Sequence, residues 1–398
     1  MRILLLTNVV PYPPRGGVHL RVYNLLTRIA RKHEVTLGCH SWGEEGRENA
    51  AWLNRHCFPT VEAPMSVGNW RHIVPALGNA LRGVPPEMAQ YQLPGLRALL
   101  RRERFDLVQV EETWLAPYID SIPRAWPTRT VITFHNIHAV QTQRMAEIEP
   151  VAWRRAWLST NARFMQRYEP RIATRFDRSI TVSPVDRQLL LASAPHLRVE
   201  MLPNGVDTAQ LTPLPPPSAT QTAPPAILFT GTLSYLPCAD AAIWLVRVIL
   251  PLLRRHVPDV EVWIVGRLAT PAVEALAGER VFVTGEVPDT VPYYRRSTVA
   301  VAPLRAGGGS RLKILEAMAL GRPVVSTTIG AEGLDLRAGE HLLLADSAEA
   351  FAEAIARVLR DQALARTLAE NARRFVCERH DWDTIAAAQL AIYDQLRP

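Results

Sequence analysis

A glycine-rich segment followed by a helix start carries the clearest chemistry in this sequence, at residues 299–334 (VAVAPLRAGGGSRLKILEAMALGRPVVSTTIGAEGL). A short apolar strand ends in three glycines, and a helical pattern follows at once. Glycines let a backbone approach a diphosphate closely, and a helix N-terminus presents unpaired N–H groups with partial positive charge. Ser310 can cap the helix or contact a phosphate. Arg311 and Lys313 add positive charge, and Glu316 can accept hydrogen bonds from ribose hydroxyls. Taken alone, the loop is equally a tight turn in which Lys313 and Glu316 pair in solvent.

The elements that must position this segment alternate between strands and helices on both sides of a proline-rich stretch, residues 212–225, which has six prolines and no charge. A chain of 398 residues exceeds what one core usually supports. The pattern therefore predicts an α/β fold, with two Rossmann-like doubly wound domains facing across a cleft. Their predicted bounds are 1–205 for the N-terminal domain and 206–380 for the C-terminal domain, with a helix in 381–398 that crosses back to the first. Strands are predicted at 2–8, 34–39, 106–110, 130–135, 178–183 and 197–203, and after the prolines at 226–231, 260–266, 280–285, 299–304 and 323–328.

Charge is unevenly distributed along the chain. Residues 1–200 contain 26 Lys+Arg and 17 Asp+Glu, a net +9, whereas residues 201–398 contain 19 and 21, a net −2. The basic half suggests an anionic partner, namely a membrane surface, a lipid phosphate or an acidic glycan. No helix-turn-helix, zinc-finger or RNP-like pattern supports a nucleic-acid partner.

The apolar segments and the cysteines of the sequence favour a cytoplasmic location for the protein. The sequence has no run of eighteen apolar residues, so no transmembrane helix is expected, and the apolar start fits a buried strand better than a signal peptide. The four cysteines are scattered without a CxxC pair, which disfavours a disulfide framework or a zinc site. We expect a cytoplasmic protein, peripheral at the inner face of the membrane.

Residues 307–334 resemble the donor-site signature of retaining GT-B glycosyltransferases, family 4 (group 1), in a form with a GGGSRLK-type donor loop. The resemblance extends over nearly the whole chain through PNGVD (203–207), FTGTLSYLPCADA (229–241), VWIVG (262–266), VTGEVPD (283–289) and HDW (380–382). It implies transfer of a sugar from a nucleoside diphosphate sugar to an acceptor hydroxyl, with retention at the anomeric carbon. It also implies cell-envelope glycan or glycolipid synthesis, with a glycan or lipid-linked acceptor. The donor is a co-substrate, so no cofactor is expected. With no Asp-x-Asp pattern, no metal is expected either.

The resemblance also assigns roles to individual residues. Glu316 would bind the ribose, and His135 would lie near the transferred sugar in the cleft. The remaining donor-site residues form three groups. The backbone of Gly308, Gly309 and Ser310 would contact the diphosphate or the sugar; Gly285, Glu286 and Val287 would flank the base; and Gly16 and Gly17 would face the phosphates or acceptor, with Gly231 as a further donor-site glycine.

Two departures from the family pattern stand out. The usual motif has a first glutamate at the position of Gly308, and the family commonly carries an Arg and a Lys in the stretch that is here 229–241. Neither base is present. Our hypothesis is that Arg311 and Lys313 supply the missing positive charge for the diphosphate.

Several alternatives stay open. His135 can be a structural histidine at a strand end, and His138 is a weaker cleft candidate. Residues 66–104, which include Trp70, Arg71, Leu77, Leu81 and Arg82, can form a membrane-surface or lipid-acceptor patch or an ordinary amphipathic helix. The arginine-rich helix around 154–175 is more typical of a solvated face.

Other patterns bear on structure and on rival functions. Ser183 and Asp186 fit a helix cap and first-turn acid. A sugar-nucleotide epimerase of the same fold and a non-catalytic nucleotide-sugar-binding component remain rival functions. A dehydrogenase is disfavoured, because no G-x-G-x-x-G follows the first strand.

Overall fold

The computed structural model describes residues 1–64, 73–81, 83–91, 94–215, 224–309 and 311–397. The chain forms two compact units, the first made of Met1–Gln143, Trp157–Asn204 and Asp383–Pro398, and the second of Arg144–Ala156 and Gly205–Trp382. The sequence placed 144–156 in the N-terminal domain, but these residues group with the second unit. Arg144 gives a local reason, since its guanidinium binds the carboxylate of Glu332, with Nη2 2.9 Å from Oε1.

The first unit contains a seven-stranded sheet in the order β3-β2-β1-β4-β5-β6-β7. Every neighbouring pair is parallel. The strands are β1 Arg2–Thr7, β2 Glu34–Ser41, β3 Thr60–Pro64, β4 Leu107–Glu111, β5 Arg129–Phe134, β6 Arg178–Thr181 and β7 Val199–Met201. Strands of a parallel sheet are covered on both faces, which explains why β1 and β4 are continuous apolar runs in the sequence.

Helices connect these strands, as parallel pairing requires. The helices before residue 205 are α1 Gly17–Ile29, α2 Gly43–His56, α3 Ile73–Leu81, α4 Pro94–Arg102, α5 His138–Ile148, α6 Ala152–Ala173 and α7 Pro184–Ser193. Two 3₁₀ helices, Pro86–Gln90 and Thr113–Ser121, complete this part of the chain. One face of the sheet buries Leu4, Val108, Ile132 and Phe134 in an apolar core.

The second unit contains a six-stranded sheet in the order β10-β9-β8-β11-β12-β13, and its pairs are parallel as well. Its strands are β8 Ala226–Thr230, β9 Glu261–Val265, β10 Val281–Val283, β11 Val299–Ala302, β12 Val324–Ser326 and β13 Leu343–Leu344. Its helices are α8 Leu236–Trp244, α9 Leu250–His256, α10 Pro271–Glu274, α11 Val291–Arg296, α12 Leu312–Ala319, α13 Thr328–Ala331, α14 Ala348–Arg360 and α15 Gln362–Arg379, followed by α16 Trp382–Gln395, whose residues from 383 belong to the first unit. A π-helical turn, Leu245–Ile249, joins α8 to α9.

The second sheet is covered on both faces. Along β8, Ile227 and Phe229 belong to one apolar core, whereas Leu228 between them belongs to the other. Because side chains alternate across a strand, this assignment places helices on both sides of the sheet. The predicted α/β class, with two parallel-sheet domains, is confirmed.

One helix in the described ranges, Leu236–Arg254, is long and apolar enough by length and composition to cross a membrane. Half of that stretch is buried inside the second unit. Ala241, Ala242, Leu245 and Ile249 lie in its core. Packing against the sheet accounts for the apolar composition of this helix.

Candidate active site

The glycine loop between β11 and α12 is held by a buried arginine. Gly307 and Gly309 have φ angles of 119° and 68°, which side-chain-bearing residues rarely adopt. Arg311 is 7% exposed, and its guanidinium donates to the backbone oxygens of Gly308 and, at 3.2 Å, Ile329. A β-carbon on Gly307 would lie 3.1 Å from Arg311 Nη1, so glycine is required for the loop to pack on the guanidinium.

These contacts indicate that Arg311 shapes the loop. Burial lowers the pKa of its guanidinium from the ordinary value, while Tyr235 and Glu332 act in the opposite direction. Arg144 adds a second contact to the loop, donating from Nη1 to the oxygen of Gly307 at 3.1 Å. A direct role for Arg311 with the diphosphate stays a prediction. Ser310 lies outside the described residues.

Lys313, at the start of α12, is half-buried and points to the ends of neighbouring strands. Its ammonium lies 3.5 Å from the Sγ of Cys238 and 4.4 Å from the centroid of the Phe229 ring. No carboxylate of the described ranges forms an ion pair with it. A β-carbon on Gly231 would lie 2.9 Å from the ammonium nitrogen, so the glycine makes room for the lysine. The result is a partly buried cation with only weak partners.

Glu316 lies one turn further along α12 and is half-buried. The hydroxyl of Tyr294, a residue 1% exposed, lies 3.3 Å from Glu316 Oε2 and 3.3 Å from the backbone oxygen of Lys313, so its one proton can be donated to either. Burial raises the pKa of the Glu316 carboxyl to about 7, the negative charge of Asp289 adds to this, and Tyr294 and Lys313 oppose it. The carboxyl group therefore titrates near neutrality.

Three glycines follow the strands next to this helix. Gly231 comes directly after β8, Gly266 comes directly after β9, and Gly285 lies one residue beyond the residue that follows the end of β10. The N–H of Gly266 donates to the backbone oxygen of Gly285 at 3.2 Å. A β-carbon on Gly266 would lie 1.7 Å from the oxygen of Gly231, a clash that only glycine avoids. Of the residues expected to flank the base, Glu286 is exposed and Val287 is half-buried. The predicted donor-site glycines of this unit thus lie at one edge of one sheet.

The first unit has its own set of predicted residues. Gly16 has a φ of 101° and occupies the cap position of α1, and no side chain caps the helix there. Gly16 and Gly17 are both exposed, so the first N–H groups of the helix can meet a ligand. The contact of these glycines with phosphate or acceptor stays a prediction.

His135 follows β5 and is 4% exposed. Its Nε2 lies 2.6 Å from Oε2 of Glu111, the last residue of β4. Glu111 was not selected from the sequence. The sequence nevertheless indicates it, because Glu111 and Glu112 form an acidic pair at the carboxyl end of a predicted strand, where ligands of doubly wound sheets bind.

A second histidine–carboxylate pair lies beside the first. Nε2 of His138 is 2.5 Å from Oε2 of Glu112, whose φ of 75° is unusual for a residue with a side chain. Glu169 accepts hydrogen bonds from the backbone N–H groups of His138 and Ala139, at 2.7 and 3.1 Å. Burial raises the pKa of the Glu169 carboxyl to about 7, against the opposing charge of His138.

Two other sequence predictions concern the pair Ser183 and Asp186 and the patch at residues 66–104. Ser183 caps α7 by accepting from the N–H of Asp186, which confirms the structural reading of that pair. Leu77 and Leu81 of the 66–104 patch are exposed, at 62% and 90%. The patch residues Trp70, Arg71 and Arg82 lie outside the described ranges.

Comparison with known proteins identifies the family of the chain. Residues 15–210 match the family model Glycosyltransferase Family 4, and residues 224–361 match Glycosyl transferases group 1. The chain is 38% identical to the lipopolysaccharide core biosynthesis mannosyltransferase LpcC of Rhizobium leguminosarum bv. viciae, over 33% of this chain and 37% of that protein. It is 30% identical to the phosphatidyl-myo-inositol mannosyltransferase of Mycobacterium leprae, over 54% and 58%. The matches thus span between about a third and three fifths of these relatives.

Solved structures share the fold over almost the full length. Sucrose-phosphate synthase from Thermosynechococcus elongatus has a TM-score of 0.74 at 20% identity, covering 100% of this chain and 99% of that one. Anabaena HepE in complex with UDP and glucose has a TM-score of 0.68 at 17% identity, covering 99% and 100%. At such identities the likeness concerns the fold. The fold and the two family models together identify the chain as a GT-B glycosyltransferase.

Proposed function

We propose that this protein transfers a hexosyl group from a nucleoside diphosphate sugar to an acceptor hydroxyl, with retention of anomeric configuration, in the synthesis of a cell-envelope glycan or glycolipid. One observation carries the proposal: the ammonium of Lys313 lies at the glycine-lined edge of the second sheet, and no carboxylate among the described residues pairs with it. Such a cation is suited to a diphosphate. The UDP and UDP-glucose held by HepE are ligands of this class.

The chemistry that the residues would perform is electrostatic. Departure of the nucleoside diphosphate leaves negative charge on the phosphate oxygens, and a fixed cation with backbone N–H groups stabilises it. Lys313 supplies the cation in this proposal, and the N-terminus of α12 supplies the dipole. Arg311 acts through the loop, because its Nη1 and Nη2 groups donate to the backbone oxygens of Gly308 and Ile329. The leaving group would then be neutralised without a metal ion.

Glu316 is suited to the ribose. An ionised carboxylate at the first turns of α12 accepts hydrogen bonds from two neighbouring hydroxyls, and Tyr294 holds one oxygen from the other side. Gly285 and Val287 would flank the base.

The acceptor is proposed from charge and from the relatives. The net charge of +9 in residues 1–200 favours an anionic lipid phosphate or acidic glycan. The relatives include a lipopolysaccharide core mannosyltransferase and a phosphatidyl-myo-inositol mannosyltransferase. We therefore propose a glycan or lipid-linked acceptor and a cytoplasmic enzyme that works at the inner face of the membrane.

The two lysines of the chain provide a matched test. Thermal shift with UDP-, GDP- and ADP-sugars should identify a donor, since a ligand at a hundred times its Kd stabilises by about 2.7 kcal/mol. Lys313→Met should weaken binding of that donor by about tenfold or more, because a charge-assisted contact contributes about 1.5–3 kcal/mol. Lys32→Met, at the exposed second lysine, should leave binding unchanged.

Products decide between transfer and its rivals. With radiolabelled donor, label should move to an added glycan or lipid acceptor, with the anomeric configuration of the donor. Conversion of the donor to an epimer without acceptor, or binding with neither transfer nor hydrolysis, would exclude the proposed activity.

A further inference from the structure

A column of polar side chains runs along one face of the first sheet. Gln109 and Glu111 lie two residues apart on β4, and Thr133 lies on β5 beside them; all three are at most 1% exposed. The residues that alternate with them along the two strands, Val108, Val110 and Ile132, belong to the apolar core on the opposite face. Buried polar groups are costly unless each is hydrogen-bonded. The column therefore requires an account of its partners.

Both oxygens of the Glu111 carboxylate have hydrogen-bond partners. Oε1 accepts from Nε2 of Gln109 at 2.5 Å and from the hydroxyl of Thr133 at 3.2 Å, and Oε2 faces Nε2 of His135 at 2.6 Å. The orientation of the Gln109 amide is also fixed. Its Oε1 accepts from Nε2 of Gln389 at 2.9 Å and from the hydroxyl of Tyr393, both on α16. The column thus leads from α16 through β4 to one nitrogen of His135.

The carboxylate is held in its ionised form. Burial acts to raise the pKa of Glu111, but the hydrogen bond and charge of His135, followed by the charge of Arg21, hold the pKa below its ordinary value. Arg21 is itself fully buried. An ionised carboxylate only accepts hydrogen bonds, so Nε2 of His135 must carry a proton. In the neutral ring Nδ1 then carries no proton, and it is the nitrogen left for a substrate hydroxyl.

We propose that Glu111 is the positioning residue of His135: it fixes the proton on Nε2, locks the ring against the sheet edge and leaves Nδ1 to meet the sugar or acceptor hydroxyl. The inference rests on the proposed function for its effect on turnover. The tautomer itself is independent of that function.

Glu111→Gln provides a sharp test, because the replacement has nearly the same shape. The donors from Gln109 and Thr133 should draw the new amide oxygen toward them, which turns the NH₂ group toward His135. Nε2 must then accept, and the proton moves to Nδ1. Long-range ¹H–¹⁵N spectra of histidine-labelled protein show directly which ring nitrogen carries the proton. The signals of His135 are assigned among those of the 11 histidines because they disappear in His135→Gln.

We expect Nε2–H in the unaltered protein and Nδ1–H in Glu111→Gln. The unaltered spectrum is informative even if the variant does not fold, since Nδ1–H there would overturn the proposal, as would an unchanged tautomer in the variant. Turnover in Glu111→Gln should fall at least about tenfold with donor KM within about threefold, the pattern of a misoriented histidine. Thr133→Val, which removes one donor and leaves the His135 contact, should keep the tautomer. A tautomer switch with no transferase activity in the unaltered protein would uphold the positioning and refute the proposed function.

Discussion

Two glutamates, one in each unit, have carboxyl groups whose pKa values are shifted in opposite directions. Glu111 in the first unit is held ionised by His135 and Arg21. Glu316 in the second unit has a pKa raised to about 7, because burial and Asp289 outweigh the hydroxyl of Tyr294 and the charge of Lys313. Both carboxylates lose water on folding; their partners make the difference.

The difference separates two tasks. A carboxylate with a full set of internal donors is a fixed structural charge, and it can orient a neighbouring ring. A carboxyl group with one long hydrogen bond from a tyrosine lacks donors, and ligand hydroxyls can supply them. We therefore expect changes around Glu111 to affect turnover and changes around Glu316 to affect donor binding.

The largest expected effect comes from the histidine that Glu111 holds. His135→Gln should lower turnover by about a hundredfold while donor affinity stays within about threefold, since the proposed role of His135 at the reacting sugar is exerted mainly in the transition state. His196→Gln, at an exposed loop position, is the matched control. Initial rates and donor titration measure the two quantities. An equal loss in donor affinity and turnover would contradict the assignment of turnover to the first unit and donor binding to the second.

Donor binding should depend on pH through Glu316. With a pKa of about 7, the carboxyl is mostly protonated at pH 6 and mostly ionised at pH 8. Because ribose hydroxyls donate to the ionised form, the donor should bind up to about tenfold more tightly at pH 8. The phosphates of a nucleotide sugar do not titrate in this range. Calorimetric titration of Glu316→Gln should give a flat profile, and a persisting slope would assign the effect to another group.

The smallest effect is on stability, and its sign differs between the two glutamates. A raised pKa means that the stabilising contribution of Glu316 is present below about 4.5, its ordinary value, and is lost as pH rises through about 7. The thermal midpoint should therefore fall by about 2–4 °C more in the unaltered protein than in Glu316→Gln between pH 5 and 8. The lowered pKa of Glu111 gives the reverse, with stability present above 4.5 and lost in acid. Calorimetry of both variants checks the two signs, and parallel curves for all three proteins would contradict them.

The sequence predicts most strands of the two sheets but misses one outermost strand of each sheet. Continuous apolar runs such as β1 and β8 were located within one or two residues, because a buried parallel strand has no polar face. The strands β3 and β13 were not predicted. The first reads TVEAP and the second has two residues, so neither has a pattern that distinguishes it from a loop.

The site was predicted in part for a similar reason. Glycine placement follows from local backbone demands, and the positive φ angles of Gly307 and Gly309 match the expectation of a close turn. Contacts across the fold leave no local signal. Tyr294 lies 22 residues before Glu316, and Gln389 lies 280 residues after Gln109. The burial of Arg311 against its own loop was equally invisible in a run of polar residues.

The return of α16 to the first unit has a consequence for the order of folding. Gln389 and Tyr393 donate to Gln109 in the first sheet, yet residues 205–382 of the other unit separate them from Asn204 in the chain. During synthesis the first unit cannot complete its fold until the whole second unit has left the ribosome. Until then the Gln109 amide lacks its partners on α16, and the surface that α16 covers is exposed. A nascent chain arrested before residue 383 should therefore bind chaperones through its first half.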